Sequence, residues 1–491
     1  MLLLNLRGSQ GPLYRRIYQQ LKSAIHAGRL GAAARLPSTR KLAEDLGVSR
    51  NSVILAYEQL AAEGYVVSRP RSTTSVVAAS PGRSPAPAAG RVEERPRLSA
   101  YASRLVESLA AFGSDSADDR RPGLKWDFRY GKPSLDEFPR TIWRRLLAAR
   151  ARRGAPESLG YLSPAGYAPL RQALCDYLRR ARGLSCEAEQ IVIVSGTQQA
   201  IDLIGRVLLD PGDAVLVEEP HYLGAILPFT AAGARLVRVN VDRHGLETTK
   251  LPPRRAGVRL AYVTPCHQFP SGVIMPLERR VALLDWAARA GAWIVEDDYV
   301  SEFRYEGSPL EALHALDRRG RVIYIGTLSK ILFPALRLAY LVLPRPLVRP
   351  FVSAKWAADR FTATLPQEAM ADFIGSGQFE RYLRRAAARN AIRRRTLIEA
   401  LRRHFGERVE IAGENTGVHL VVWLNGMAPD DIPALIARAA AAGVGLYPMT
   451  PYYATPLRRA GLLFGYASLS EAEIRAGIRR LAEIAGVRAA A

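Results

Sequence analysis

Arg35-Leu36-Pro37-Ser38-Thr39-Arg40-Lys41-Leu42-Ala43-Glu44-Asp45-Leu46-Gly47-Val48-Ser49-Arg50-Asn51-Ser52-Val53 holds two helix starts and one helix stop in a single short run. Ser38 and Ser49 can each accept a hydrogen bond from a free N–H of a first helical turn, and Gly47 tolerates the left-handed backbone that ends a helix. Upstream, Leu13, Ile17, Leu21 and Ile25 recur at helical spacing and predict an amphipathic helix over roughly 11–27, ending at Gly28. Downstream, the apolar face of the third helix reads Val53, Ala56, Tyr57, Leu60. After Gly64 come two strand-like runs, Tyr65–Val67 and Thr73–Val77, with Arg69-Pro70-Arg71-Ser72 turning between them. Three helices and a hairpin describe a winged helix-turn-helix over residues 1–78.

In such a unit the N-terminal end of the third helix enters the major groove of DNA, which assigns base-edge contacts to Ser49, Arg50, Asn51 and Ser52. Arg40 and Lys41 on the second helix, and Arg69 and Arg71 at the wing, can neutralise phosphates. Residues 1–78 carry 11 Lys and Arg against 4 Asp and Glu, a net +7. The whole chain, at +23, leans the same way, but an arginine-rich composition inflates that figure: there are only seven lysines, at 22, 41, 125, 132, 250, 330 and 355. The run from Arg35 through Glu63-Gly64 resembles the GntR family of winged-helix repressors, and the resemblance implies a double-stranded promoter or operator as partner. It departs at the wing, where the family's Arg-x-Gly-x-Gly-Thr is Arg69-Pro70-Arg71-Ser72-Thr73-Thr74 here.

At 491 residues the chain is too long for one ordinary core. Residues 79–96 are rich in Pro, Ala, Gly and Arg and read as an extended linker. A short helix is expected near 98–112, which sets a linker of 79–124 between the first unit and a domain of 125–491. In that domain, apolar runs Ile191–Val194, Ala214–Val217, Leu260–Val263, Trp293–Val295 and Val322–Ile325 alternate with helical stretches, the pattern of an α/β fold with a mainly parallel sheet covered on both faces. Beyond about 365 the pattern changes to long Arg-rich helices plus Val418–Trp423, a smaller α+β subdomain. Cys175, Cys186 and Cys266 form no metal-ligand spacing and suit a reducing cytoplasm. Met1 to Arg7 is too short an apolar run for a signal peptide, and no long uncharged apolar stretch spans a membrane.

Four features of the domain carry chemistry. Lys330 follows the buried-type strand in Ile325-Gly326-Thr327-Leu328-Ser329-Lys330, where lost hydration lowers an amine's pKa and frees a nucleophile; a snorkelling lysine at a strand end is the plain alternative. Trp293-Ile294-Val295 runs into Glu296-Asp297-Asp298-Tyr299, three carboxylates where open α/β sheets bind ligands, or else a solvated loop or magnesium site. Ser195-Gly196-Thr197-Gln198 turns a strand into a helix whose first N–H groups can hold an anion, and Arg337 can add a bidentate contact. Tyr222 offers a ring face for stacking, or is plain core. An amine, an acid, a phosphate cradle and a flat ring are what pyridoxal phosphate asks of a protein.

From 125 onward the chain resembles fold-type-I aminotransferases. The matching segments are Tyr161-x-x-Pro164-x-Gly166-x-x-x-Leu170-Arg171, Ser195-Gly196-Thr197-Gln198, Asp210-Pro211-Gly212-Asp213, Glu219-Pro220-x-Tyr222, Pro265-x-His267-Gln268-Phe269-Pro270-Ser271-Gly272, Glu296-Asp297-Asp298-Tyr299 and Ser329-Lys330. A GntR unit joined by a linker to such a domain is similar to the MocR subfamily of regulators. The resemblance implies that Lys330 bonds pyridoxal 5′-phosphate, that Asp297 pairs with the pyridine nitrogen and Tyr299 with the ring hydroxyl, and that Tyr222 stacks. It assigns the phosphate to Gly196, Thr197, Gln198, Thr327 and Arg337, with Tyr161 reaching the other subunit of a homodimer. Asp297 is preferred to Asp298 by motif position alone. Two departures stand out. The usual Asn-Pro is replaced by His267-Gln268-Phe269-Pro270, leaving Gln268 or His267 to meet the ring hydroxyl. Leu463 stands where these enzymes place the arginine that holds the substrate carboxylate, with Arg458 and Arg459 as candidate substitutes. The expected function is a regulator that senses pyridoxal phosphate, an amine or an amino acid. The alternatives are an aminotransferase with an accessory DNA-binding unit, and a regulator whose large domain only dimerises.

Overall fold

The structure is a computed structural model and describes residues 11–68, 73–77, 97–111, 123–153, 160–306 and 311–486. The chain divides into two compact units between Arg97 and Leu98. In the first unit the helices are Leu13–His26, Thr39–Leu46 and Arg50–Ala62. Ser38 accepts from the Lys41 N–H and Ser49 from the Ser52 N–H, while Gly47 closes the second helix at φ 63°. Ile17, Leu21 and Ile25 meet Val53, Ala56, Tyr57 and Leu60 in one core, joined by Leu36, Leu42, Val66 and Val76. The last two come from an antiparallel pair, Val66–Val67 with Ser75–Val76. The Tyr57 hydroxyl donates to the Pro37 carbonyl at 2.9 Å, fastening the third helix to the loop that opens the second.

Residues 79–96 lie outside the described residues, as do 69–72, so the turn bearing Arg69 and Arg71 does too. Within the 79–124 stretch read as linker, Ala100–Ala111 is a helix. Arg104 donates to the Ala231 carbonyl at 2.8 and 3.0 Å and the Tyr101 hydroxyl to Asp202 at 3.2 Å, so this segment packs with the second unit.

The second unit is built on an eight-stranded sheet. In spatial order its strands are Ile191–Val194, Ala339–Val342, Val322–Thr327, Trp293–Asp298, Val258–Val263, Ala214–Glu219, Arg235–Asp242 and Gly245–Leu246. The run from Val322–Thr327 to Arg235–Asp242 is parallel; Ala339–Val342 runs antiparallel to both neighbours. That reversed strand and Arg235–Asp242 were not among the expected runs. Strands Ile191–Val194, Ala214–Glu219 and Val322–Thr327 are buried along their whole length, as strands covered on both faces must be. A second, antiparallel sheet orders Val409–Ala412, His419–Leu424, Ala460–Gly465 and Tyr447–Pro448. The long helix Gln378–Phe405 and the helix Glu471–Ile484 pack on one another against it, giving the expected α+β subdomain its own core. No helix among the described residues is long and apolar enough to cross a membrane.

Candidate functional site

On the first unit, Arg40, Lys41, Ser49, Arg50 and Asn51 are exposed and Ser52 is partly so. The Arg50 guanidinium donates weakly to the Thr39 hydroxyl at 3.4 Å, while Lys41 pairs with Asp45 at 3.0 Å. The third helix has no acidic residue in its first turn, so its positive end faces outward beside Arg50 and Asn51.

On the second unit, parallel strands bring the chemistry to one edge. Lys330 ends the turn after Val322–Thr327, next to Trp293–Asp298, with Ile325 in register with Asp297. The three carboxylates of that strand separate by environment. Glu296 accepts from the Leu313 and His314 N–H groups, both at 2.8 Å. Asp298 accepts from Arg182 at 2.6 Å, Tyr324 at 2.8 Å and Ser301 at 2.8 Å. Asp297 takes one bond, from the Tyr262 hydroxyl, and its Oδ1 is buried with no partner. Burial pushes the Asp297 carboxyl up to about 7, against the opposing pull of Tyr262 and, more weakly, of Lys330. Next to it the Tyr299 hydroxyl is also buried without a partner. A buried orphan acceptor and a buried orphan hydroxyl are costly unless a ligand completes them.

The helix Thr197–Leu208 opens at Gly196, φ 105°, with no side-chain cap on its first N–H groups. Arg337 lies across this turn: its guanidinium donates to the Ser195 carbonyl at 2.7 Å, and a Cβ at Gly196 would stand 2.6 Å from Nη2. Only glycine fits both that φ and that approach. Thr327 is buried, and its hydroxyl accepts from the Ser329 N–H at 3.2 Å. Gln198 turns away to the Gly224 carbonyl at 2.8 Å. Tyr222 packs edge-on against Phe269 at 5.4 Å, and burial, with the Asp297 charge adding to it, raises its hydroxyl pKa against a weaker pull from Arg337. Tyr161 is 81% exposed with Arg360 over its ring at 4.9 Å.

Gln268 does not join them. Its amide donates to the Pro220 and Phe269 carbonyls at 2.8 and 2.6 Å and to Glu218 at 3.2 Å, and its oxygen accepts from Ser271 at 2.6 and 3.1 Å. The side chain ties two loops together and has no polar atom left over for a ring. His267 bonds the Thr416 hydroxyl at 2.6 Å and keeps a buried, unpartnered Nε2.

Three contributors went unread in the sequence. Tyr130 stands before Gly131, where a Cβ would lie 2.9 Å from Lys330 Nζ. His419 meets Tyr130, Phe269 and His267 ring to ring. Arg182, on a helix far away in sequence, pairs with Asp298 at 2.6 Å, while the Lys330 charge acts on Asp297. The one available signal was Gly131, a glycine in a polar loop ahead of a proline.

Two family patterns cover most of the chain: bacterial regulatory proteins, gntR family, over residues 13–76, and aminotransferase class I and II over 132–481. The chain is 37% identical to the probable rhizopine catabolism regulatory protein MocR of Rhizobium meliloti, over 98% of this chain and 95% of that one. It is 32% identical to the HTH-type transcriptional regulator TauR of Rhodobacter capsulatus, over 97% of each. Among solved structures, the kynurenine aminotransferase of Pyrococcus horikoshii superposes with a TM-score of 0.68 at 31% identity, over 79% of this chain and 95% of that one. A winged helix carrying the GntR pattern is followed by a domain carrying the aminotransferase pattern, and the similarity to MocR runs nearly the full length: the chain belongs to the MocR subfamily of GntR-type transcription regulators.

Proposed function

We propose that residues 125–491 hold pyridoxal 5′-phosphate on Lys330 and that this domain, on meeting an amine or amino acid, changes the grip of residues 1–78 on promoter DNA. The observation that carries the reading is the pair of buried, unpartnered atoms, Asp297 Oδ1 and Tyr299 hydroxyl, set beside Lys330. Both fit the edge of a pyridine ring that offers an N–H and a ring oxygen. When bound, the cofactor supplies a carbonyl that takes up amines reversibly.

The chain's own groups then have distinct tasks. Lys330 provides the amine. Asp297 accepts the ring N–H and is held ionised by it, and Tyr299 donates to the ring oxygen. The N–H groups at Gly196, Thr197 and Gln198, the Thr327 hydroxyl and the Arg337 guanidinium receive the phosphate, and Tyr222 covers one ring face. Tyr161 reaches the partner's phosphate in a cytoplasmic homodimer. Leu463 offers no charge to an α-carboxylate, which disfavours turnover of ordinary amino acids and favours a sensing role. A ligand shifts the regulator only by binding its two arrangements unequally.

The test joins two readouts. The purified chain loaded with pyridoxal phosphate should show a visible absorbance band that Lys330→Ala removes, and candidate amines should change both that band and promoter binding in a mobility-shift assay. No band rejects the cofactor; steady keto-acid production from an amino-acid panel would favour an aminotransferase instead.

A further inference from the structure

The wall beside Lys330 has a definite chemical character. Strands His419–Leu424 and Ala460–Gly465 pair antiparallel, His419 opposite Gly465 and Val421 opposite Leu463. Leu420, Val422, Leu462 and Phe464 enter the core of the small subdomain, so by strand alternation His419, Val421 and Leu463 present the other face. There Leu463 packs with Phe269, Tyr447, Met449 and Tyr452. Tyr130 and Tyr452 join hydroxyls across the same cluster. A carboxylate set against this wall would shed its hydration without meeting a cation at position 463. Neither nearby arginine compensates: Arg458 and Arg459 are exposed, and Arg459 is held by Glu410 at 2.5 Å and by the Trp423 ring. Arg129 lies over the Tyr447 ring, 5.4 Å from its centroid, and is the position from which an acid could still be met.

The same face carries an acceptor at His419. His419 Nε2 lies 3.0 Å from the Pro270 carbonyl. A carbonyl has no proton to give, so Nε2 carries the hydrogen and Nδ1 is the accepting nitrogen of the ring. Burial pushes the ring down to about 4, with the Lys330 charge adding to the effect, so the imidazole stays neutral. His419 and Lys330 are linked through Tyr130-Gly131, which touches both.

Resting on the reading of Lys330 as the cofactor lysine, we infer that the effector pocket takes a primary amine bearing hydroxyl groups in place of an α-carboxylate, with His419 Nδ1 accepting a hydrogen bond from a hydroxyl. Aromatic walls suit the C–H faces of such a ligand, and the imidazole gives it orientation.

The experiment titrates the loaded full-length protein with matched pairs, alanine and alaninol, β-alanine and 3-aminopropanol, together with plain propylamine, following the absorbance band and binding heat. Amino alcohols should bind about tenfold tighter than their acids. His419→Phe should weaken the amino alcohols roughly fivefold while leaving propylamine unchanged, and His419→Gln, which retains an acceptor, should recover part of the loss. If His419→Phe does not fold, the wild-type pairs and His419→Gln decide. Acids binding tighter than alcohols overturns the inference and leaves the cofactor reading intact, most directly if Arg129→Gln abolishes that preference. A present band that no amine perturbs overturns both the inference and the amine-sensing reading, while an absent band removes the cofactor reading beneath them.

Discussion

The recognition surface of the winged helix and the pocket at Lys330 are assembled in opposite ways. Arg50, Asn51 and Ser52 are exposed neighbours on one helical turn, set by a cap at Ser49 and a stop at Gly47 a few residues away. Lys330, Asp297 with Tyr299, Gly131, Gly196 and His419 come from five separate segments and are arranged by a buried parallel sheet and the sheet beside it. A locally built surface tolerates single changes as small losses of affinity. A site built over long range contains buried charges whose partners are remote, and removing one of those is costly. The comparison therefore predicts a graded difference between the two units.

The largest effect is all-or-none. Lys330→Ala should abolish the visible band while leaving the far-ultraviolet signal and the unfolding of the first unit intact. Retention of a lysine-type band would place the cofactor elsewhere. Next comes the buried pair: Arg182 and Asp298 are both almost inaccessible and 2.6 Å apart. Arg182→Ala leaves Asp298 uncompensated and should destabilise the second unit by about 3–5 kcal/mol. Urea unfolding should show one transition moved and the other unmoved; a shift of both would break the contrast.

Acidity sharpens it further. Burial pushes Glu218, Glu296 and Asp297 each up to about 7 in the cofactor-free chain. Unfolded, these groups lose their protons in the ordinary carboxyl range, so between that range and about pH 7 the folded chain holds protons the unfolded one has released. Stability of the second unit should fall as pH rises through this window, by up to about 1.4 kcal/mol per pH unit for each group. Asp297→Asn should flatten part of the slope. The first unit should show no such slope; its main carboxylate contact, Glu63 with Lys22 and Tyr18, lowers that acid's pKa.

The same contrast explains what could be read in the sequence. Ser38, Gly47 and Ser49 act on backbone within four residues, so caps and helix faces were legible residue by residue. The strands and their lysine and acid ends were legible because covered parallel strands are continuously apolar. The pairing of neighbours was not. Asp297 and Asp298 point to opposite faces of one strand, and only the sheet reveals that Arg182 waits on one side and Lys330 on the other. Gln268 and His267 both read as candidates for the ring contact because they stand where a polar residue is expected; the loop folds Gln268 toward Glu218 and two carbonyls. His419 sits in the apolar run Val418–Trp423 and reads as core; its role depends on strand pairing with Gly465 and on a carbonyl 149 residues away.

Two smaller predictions fall on the DNA side. Arg50→Glu replaces an exposed cation with an anion at the helix end and should weaken specific promoter binding by roughly 1–3 kcal/mol, seen in a mobility shift, while the absorbance band is unchanged. Unchanged binding would move the recognition surface off this helix.

The smallest expected effect is the most diagnostic of local construction. The Ser49 hydroxyl oxygen accepts from the Ser52 N–H at 3.3 Å and lies 2.9 Å from the Ser52 hydroxyl. Ser49→Ala removes both, at a cost of about 1 kcal/mol to the first unit. The turn that frays is the one bearing Arg50, Asn51 and Ser52, so promoter affinity should fall by at least the same factor as stability. Ser49→Asp restores an acceptor and adds favourable charge at the helix N-terminus, so it should recover the stability. It should not recover the affinity, because the new carboxylate faces the phosphates that Arg40 and Lys41 are placed to meet. Stability and binding that move together in both variants would mean that Ser49 acts only as a cap; their separation in Ser49→Asp would put the helix end against DNA.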